Sequence, residues 1–439
     1  MKRLISSSPE EQEYIKNIGK NKNKNFLIYC QSVLAVGSVL IFFTFFDVYF
    51  WESSKIIPPV VFINLYGAAI VILLLIAKRA KISYQIPREL LWWCLGYLTI
   101  SLFGFLLLLS FPSHAGEAGF QQLRTRILSE FFLLTMFLIF SKYYQVQNVT
   151  RLAICGAVIL ALFNNILEFS DPSIFGVLNT TGRAAGLYVN PNITGCALIL
   201  GLIFGISVLP ERLRILYSIL VLVGVFMTFS RGAILGWFLV MGIFLKVELV
   251  PRKQLFIWVI SILGVLFIFG PILGSIFNLD ELQKSGLVTA NFDNIRERLE
   301  WFQTPKQEES ADARMEVVAI AWGMFGNHPL LGNGLASTDN LNNLGISTHN
   351  MYLLYVADHG ILGVLILPTL VYAVTRNAQG ESKYIGWAFS AFILLWGCFS
   401  HNILEERYIL MCFALMAAMN RSSRLKIKRK SFQPKQELS

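Results

Sequence analysis

Charge is what this chain has least of. Lys, Arg, Asp and Glu together make up 15% of its 439 residues, where soluble domains sit nearer a quarter. That scarcity, with 55% hydrophobic residues and a mean hydropathy of +0.58, excludes an ordinary soluble globule and points to an integral membrane protein. Cysteine pairing is missing too. Cys30, Cys94, Cys155, Cys196, Cys398 and Cys412 all fall in apolar runs and none forms a CxxC pair. They are expected to be small buried hydrophobes, not a disulfide or metal framework. No internal repeat is visible, and the KNIGKNKNKN stretch near the start is the one biased segment. No cleavable leader is recognisable, because a polar tail precedes the first apolar run and no small-residue cleavage site follows it.

What is present is a succession of apolar runs, at about 26–46, 57–77, 90–110, 127–144, 150–168, 193–209, 213–229, 232–248, 254–277, 350–375, 384–400 and 403–419. Each is near the length that spans a bilayer as a helix. The expectation is an all-α, polytopic membrane protein of about twelve transmembrane helices. Residues 1–25 and 420–439 are basic tails flanking one transmembrane domain, 26–419. The pair within 213–248 reads either as two spans or as a tight hairpin.

The formal charge of +10 sits mainly in those tails: Lys2, Arg3, Lys16, Lys20, Lys22 and Lys24 at one end, and Arg421, Arg424, Lys426, Lys428, Arg429, Lys430 and Lys435 at the other. A nucleic-acid partner is therefore not indicated; the pattern is a topology signal with a lipid bilayer as partner. Basic connections (Lys78, Arg79, Lys81 and Arg88; Lys142 and Arg151; Arg212 and Arg214; Lys246, Arg252 and Lys253; Arg376 and Lys383) alternate with connections poor in Lys and Arg. By the positive-inside rule they lie in the cytoplasm with both termini. The polar stretch of about 278–348, in which acids outnumber bases, then faces outward. It holds two amphipathic runs, Asn291–Gln303 and Ala311–Gly326, before a turn-rich passage, NHPLLGNG and STDNLNNLGISTHN. A loop of this size with helices of its own is rarely a mere connector.

Four stretches on that outer side carry polar residues suited to chemistry: GRAAGLYVNPNITG (182–195), FSRGAILGW (229–237), DARMEVVAIAWGMFGNHPLLGNG (312–334) and THNMYLLYVADHGILG (348–363). Arginine at membrane level on the outer side runs against the positive-inside bias, which favours a functional reading of Arg183 and Arg231 over simple snorkelling. Its planar fork grips phosphate oxygens in pairs. His349 opens an apolar run, where a helix dipole and nearby arginines both oppose imidazolium. A neutral ring there can accept a proton or donate a hydrogen bond. His328 reads as loop structure, and His114 and His401 have no evident partner. Asp358 is an acid within a span, facing the interior. His349 and His359 are ten positions apart and fall on different faces of a helix, so no metal site is supported and no cofactor is implied.

The ordered set of Arg183 with Asn190-Pro191-Asn192, Ser230-Arg231-Gly232, Arg314 with Trp322 and His328-Pro329-Leu330-Leu331-Gly332, and His349-Asn350 leading to Gly360-Ile361-Leu362-Gly363 resembles the O-antigen ligase and Wzy-type polymerase superfamily of bacterial membrane glycosyltransferases. The resemblance implies a metal-independent enzyme in the bacterial inner membrane. It would pass a glycan from undecaprenyl diphosphate to an acceptor hydroxyl on a glycan, lipid or protein. His349, Arg231 and Arg314 would be catalytic, and Arg183, Asn192 and Asn350 would bind the diphosphate or glycan. A Wzy-type polymerase with the same donor is the near alternative. A lipid-linked glycan flippase or a silent scaffold belongs to other classes, but related halves and charges deep in several spans, usual in transporters, are not evident.

Overall fold

The computed structural model describes residues 9–79, 81–110, 116–171, 174–175, 183–251, 253, 309–338 and 349–431. The apolar run 254–277 and the amphipathic run 291–303 lie outside them. All the regular structure among the described residues is helical. In chain order the α-helices are α1 (Pro9–Ser38, continued by a π turn, Val39–Phe43), α2 (Phe46–Ser54), α3 (Pro59–Arg79), α4 (Arg88–Leu109), α5 (Gly116–Phe140), α6 (Tyr144–Ser170), α7 (Pro191–Gly205), α8 (Glu211–Thr228), α9 (Arg231–Lys246), α10 (Glu309–Asn327), α11 (Met351–His359), α12 (Ile366–Thr375), α13 (Glu381–Trp396) and α14 (Arg407–Ser431).

Most of the described helices fall on the predicted runs, α2 being an addition between the first two, but they do not all reach the predicted length. Among the described residues, five segments are long and apolar enough to cross a membrane: Lys24–Phe43, Pro59–Arg79, Arg88–Leu109, Tyr144–Glu168 and Met351–Thr375. α7 has 15 residues, a rise of only about 22 Å against a hydrocarbon core of about 30 Å. The twelve expected crossings are therefore met only in part among the described residues. α8 and α9 are joined through Phe229 and Ser230 alone, with Phe229 left-handed (φ 49°), so that pair is a tight helical hairpin.

Burial follows composition. α7 is apolar all round, and from Thr194 to Gly205 it is buried; α14 is likewise buried from Tyr408 to Met419. These two helices form the centre, as expected of helices without a polar face. α5 packs on α14, and α6 and α8 pack on α7. α3 and α4 instead expose Leu65, Val71, Ile72, Leu75, Trp92, Leu102 and Leu106, which is the surface a bilayer would cover. Cys94, Cys155, Cys196 and Cys412 are buried, but Cys30 is only half-buried and Cys398 is exposed. The expectation of six buried thiols fails at Cys398 because it sits in the turn that ends α13, beyond the packed helix.

The predicted run 350–375 is the largest departure. It is not one helix: α11 stops at His359, six residues of 3-10 helix follow, and α12 resumes at Ile366. Gly360 causes the break, with φ 63° and ψ −155°, a region essentially confined to glycine. A Cβ at Gly360 would lie 2.5 Å from the Leu330 carbonyl. The HPLLGNG turn fills the gap so formed. Ile361 N donates to the Pro329 carbonyl at 2.8 Å, Asn333 N to Ala357 O at 3.0 Å and Gly334 N to Asp358 O at 3.0 Å. Gly332 (φ 76°) is pressed so closely on that strand of backbone that a Cβ would sit 2.3 Å from Asp358 O. Irregular backbone at membrane depth needs protein partners for its polar groups, and the turn and the broken helix supply each other's.

Candidate active site at one end of the bundle

The chain folds so that the ends of α6, α8 and α13 meet the starts of α7, α9, α11 and α14 at one end of the bundle. The 183–190 segment is fixed there by main-chain bonds. Glu168 Oε2 accepts from Ala185 N at 2.7 Å and Gly186 N at 2.5 Å, and Ala184 N donates to Met227 O at 3.2 Å. Asn190 caps α7 by accepting from Asn192 N at 2.9 Å, and Pro191 occupies the first helical position, where its missing N–H costs nothing.

Arg183 Nε donates to the Thr228 carbonyl at 2.9 Å, and its Nη2 donates to Asn192 Oδ1 at 3.0 Å. Arg183 and Asn192, nine residues apart, thereby act as one unit set against the end of α8. Arg231 follows three residues later as the first residue of α9 and is exposed. Gly232 lets that end of α9 approach α13, since a Cβ there would be 3.0 Å from the Trp396 ring and 3.1 Å from Phe399. The end of α13 in turn holds the start of α11, with Met351 N donating to Gly397 O at 2.9 Å. Asn350 Oδ1 caps α11 by accepting from Leu353 N at 3.1 Å.

His349 precedes that cap, exposed and left-handed (φ 46°). A non-glycine residue held in this conformation is uncommon and is enriched where side chains are aimed for function. Its ring stands 5.7 Å from that of His401, at an interplanar angle of 72°. The sequence shows no evident partner for His401, and the structure supplies one. The two histidines are 52 positions apart, so only tertiary contact joins them, and no local pattern around Ser400-His401-Asn402 announces it. Burial, then the neighbouring His349, pushes the His401 pKa down to about 4, so the ring is neutral. Its Nδ1 and the indole Nε1 of Trp396 are buried without a hydrogen-bond partner. Orphaned polar atoms are rare in folded proteins and call for an explanation; here they belong to one ring beside His349 and one beside Gly232.

Arg314 lies in α10, whose earlier part carries side chains outside the described residues. α10 rests on α11, with Ala321 packed on Leu353 and Ala357, and Met324 O and Ala357 O share the Asn333 amide. Earlier turns of α10 are thus directed toward the His349 end of α11. Seven residues separate Arg314 from Ala321, about 10 Å along the axis.

Residues 216–367 match the family model described as O-antigen ligase. That stretch is an O-antigen ligase domain. No curated protein and no solved structure matches the chain. The O-antigen ligase domain contains Arg231, Arg314, His349 and Asn350. Arg183, Asn192 and His401 lie outside its limits in sequence, yet Arg183 is bonded to its Thr228 and His401 touches its His349.

Two further histidines separate cleanly from this set. His328 is exposed in the turn after α10, as expected. His359 is buried far along α11, where Arg126 Nη1 donates to its Nε2 at 2.6 Å; arginine has no acceptor, so the direction of that bond is fixed. Asp358 faces the interior as expected, 3.7 Å from Arg126 Nη2, and its carboxylate accepts from Ser337 Oγ at 2.8 Å and Ala336 N at 3.3 Å. The Arg126 guanidinium also lies over the Tyr355 and Tyr97 rings, at 4.8 and 5.4 Å. Sequence reading missed Arg126, which lies one residue before the predicted run 127–144 and falls inside the helix only because α5 begins earlier, at Gly116.

Proposed function

We propose that the protein transfers a glycan from undecaprenyl diphosphate to an acceptor hydroxyl at the outer face of the bacterial inner membrane, with both termini in the cytoplasm. The observation that carries this reading is the gathering of Arg183, Arg231, His349 and His401 at one end of the bundle, inside or against the O-antigen ligase domain.

The chemistry needs little else. An acceptor oxygen attacks the anomeric carbon, the glycosidic bond to phosphate breaks, and undecaprenyl diphosphate leaves with the bonding electron pair. Arg231, with Arg183 and Arg314, holds the diphosphate and stabilises the charge that grows as the bond breaks, an effect commonly about 3–4 kcal/mol for one well-placed donor. Asn192 orients the Arg183 fork, and Asn350 fixes the helix start that presents His349. His349 takes the proton from the acceptor hydroxyl, and His401 beside it, being neutral, opposes the charge His349 then gains less than another arginine there would. The ligase and polymerase readings share all of these steps and differ in the acceptor alone.

Incubating the purified protein with undecaprenyl-diphosphate glycan and candidate acceptors tests the proposal. A single discrete transfer is expected for a ligase, and a ladder of lengthening glycan marks a polymerase. Movement of the lipid-linked glycan across a vesicle membrane with every glycosidic bond intact would make it a flippase and overturn the transferase reading.

A further inference from the structure

The opposite end of the bundle holds two adjoining cavities that glycan transfer does not use. One, of about 640 Å³, is lined by Gln85, Arg88, Glu89, Asn420 and Arg421 among others. The other, of about 470 Å³, runs between α4 and the 3-10–α12 segment, past Trp92, Trp93, Gly96, Leu365 and Tyr372. Glu89 and Ala373 line both, so the polar chamber opens directly into the apolar furrow.

The two chambers differ in chemistry as a lipid's two ends do. Arg88 is the first residue of α4, where the helix dipole adds to its charge, and Arg421 Nη2 donates to Gln85 Oε1 at 2.9 Å. Against Glu89 these two guanidiniums leave one net positive charge, the complement of a phosphodiester. The furrow is walled by exposed apolar side chains, Trp92 at 71% and Leu365 at 53%. Its floor is pinned where Trp93 Nε1 donates to Ile366 O at 2.9 Å. From Glu89 to Ile100 it follows α4 for about 16 Å, most of the length of an acyl chain. Gly96 lines it, and a Cβ there would meet nothing within 4 Å; the missing side chain is what leaves the furrow open.

We propose that this paired cavity binds one glycerophospholipid, its phosphodiester between Arg88 and Arg421 and one acyl chain along α4 beside Gly96. The site lies at the far end of α4 and α12 from His349, so it takes a lipid of the other leaflet, distinct from the glycan donor. Bound lipid joins α4, α12 and α14 at their common end and should stabilise the fold in proportion to its occupancy.

Native mass spectrometry of the delipidated full-length protein, titrated with dioleoyl phosphatidylglycerol, tests this. One lipid is expected to remain bound to the wild type. Roughly tenfold weaker retention is expected for Arg88→Gln/Arg421→Gln, from losing charge-assisted bonds, and a similar loss for Gly96→Leu, whose side chain would occupy the furrow without clashing. Gly96→Leu should keep the thermal transition of the lipid-free wild type while losing the lipid-dependent rise. Equal retention in all three proteins would overturn the proposal, as would full retention by Gly96→Leu. Inorganic phosphate displacing the lipid would reduce the site to an anion pocket, and diacylglycerol binding as tightly would remove headgroup recognition. Because lipid retention is the readout, either failure leaves the transferase reading standing.

Discussion

Two arginine–histidine groupings occur among the described residues, and they behave oppositely. At the end of the bundle, Arg231 and His349 are exposed. Some ten residues down α11, Arg126 is 1% exposed and Asp358 is 2% exposed, and both are engaged by His359, Ser101, Ser337 and two tyrosine rings. The same side-chain types serve as a reachable surface in one place and as a latch in the other. The latch ties α5 to the broken α11 and to the HPLLGNG turn. The contrast shows that an arginine beside a histidine is informative about chemistry only once its accessibility and its existing partners are known.

The comparison can be broken most forcefully at the proposed reacting end. His349→Ala should lower glycan transfer by about 10²–10⁴-fold, the usual span for losing a general acid or base, with an unchanged thermal transition; undiminished turnover would remove His349 from the chemistry. Asp358→Ala should show the reverse. It strands the Arg126 charge and frees Ala336 N, and breaking such a buried pair costs about 3–5 kcal/mol, read as a large fall in thermal stability or loss of folded protein. A stable Asp358→Ala protein that has lost transfer would merge the two groupings into one site.

Gly360→Ala should destabilise by about 1–3 kcal/mol, because alanine is strained at that backbone conformation and its Cβ meets the Leu330 carbonyl. An unchanged melting temperature would mean the turn does not seat in the break. Arg231→Lys should keep the charge but lose the two-pronged grip, costing about tenfold or more in transfer with little effect on stability; wild-type turnover would argue against a diphosphate there.

The smallest effect concerns His401. Its folded pKa of about 4 lies below the ordinary 6.5, so the unfolded chain binds the proton first. The stability this ring contributes is complete above pH 6.5, declines as pH falls from 6.5 to 4, and is flat below. Substituting His401→Asn should flatten that part of the pH–stability curve; an unaltered curve would mean the ring is not desolvated.

The chain's helical character and the positions of most of its described helices could be read from sequence, because apolar run length and the Gly/Pro/Asn punctuation of 182–195 and 328–334 act locally. Asn190 and Asn350 cap their helices as residues of their type do, and Gly360 marks a break that a hydropathy average over 350–375 smooths away. The match of residues 216–367 to the O-antigen ligase model agrees with the resemblance carried by the ordered motifs.

Tertiary structure alone decided the rest. Nothing near Arg126 in sequence says that it reaches Asp358 and His359 more than 200 positions later, nor that His401 comes to lie beside His349. Apolar periodicity states which residues avoid water; which helix covers which depends on how side chains of distant segments fill shared space. The division of arginines into exposed and latched is a property of that packing.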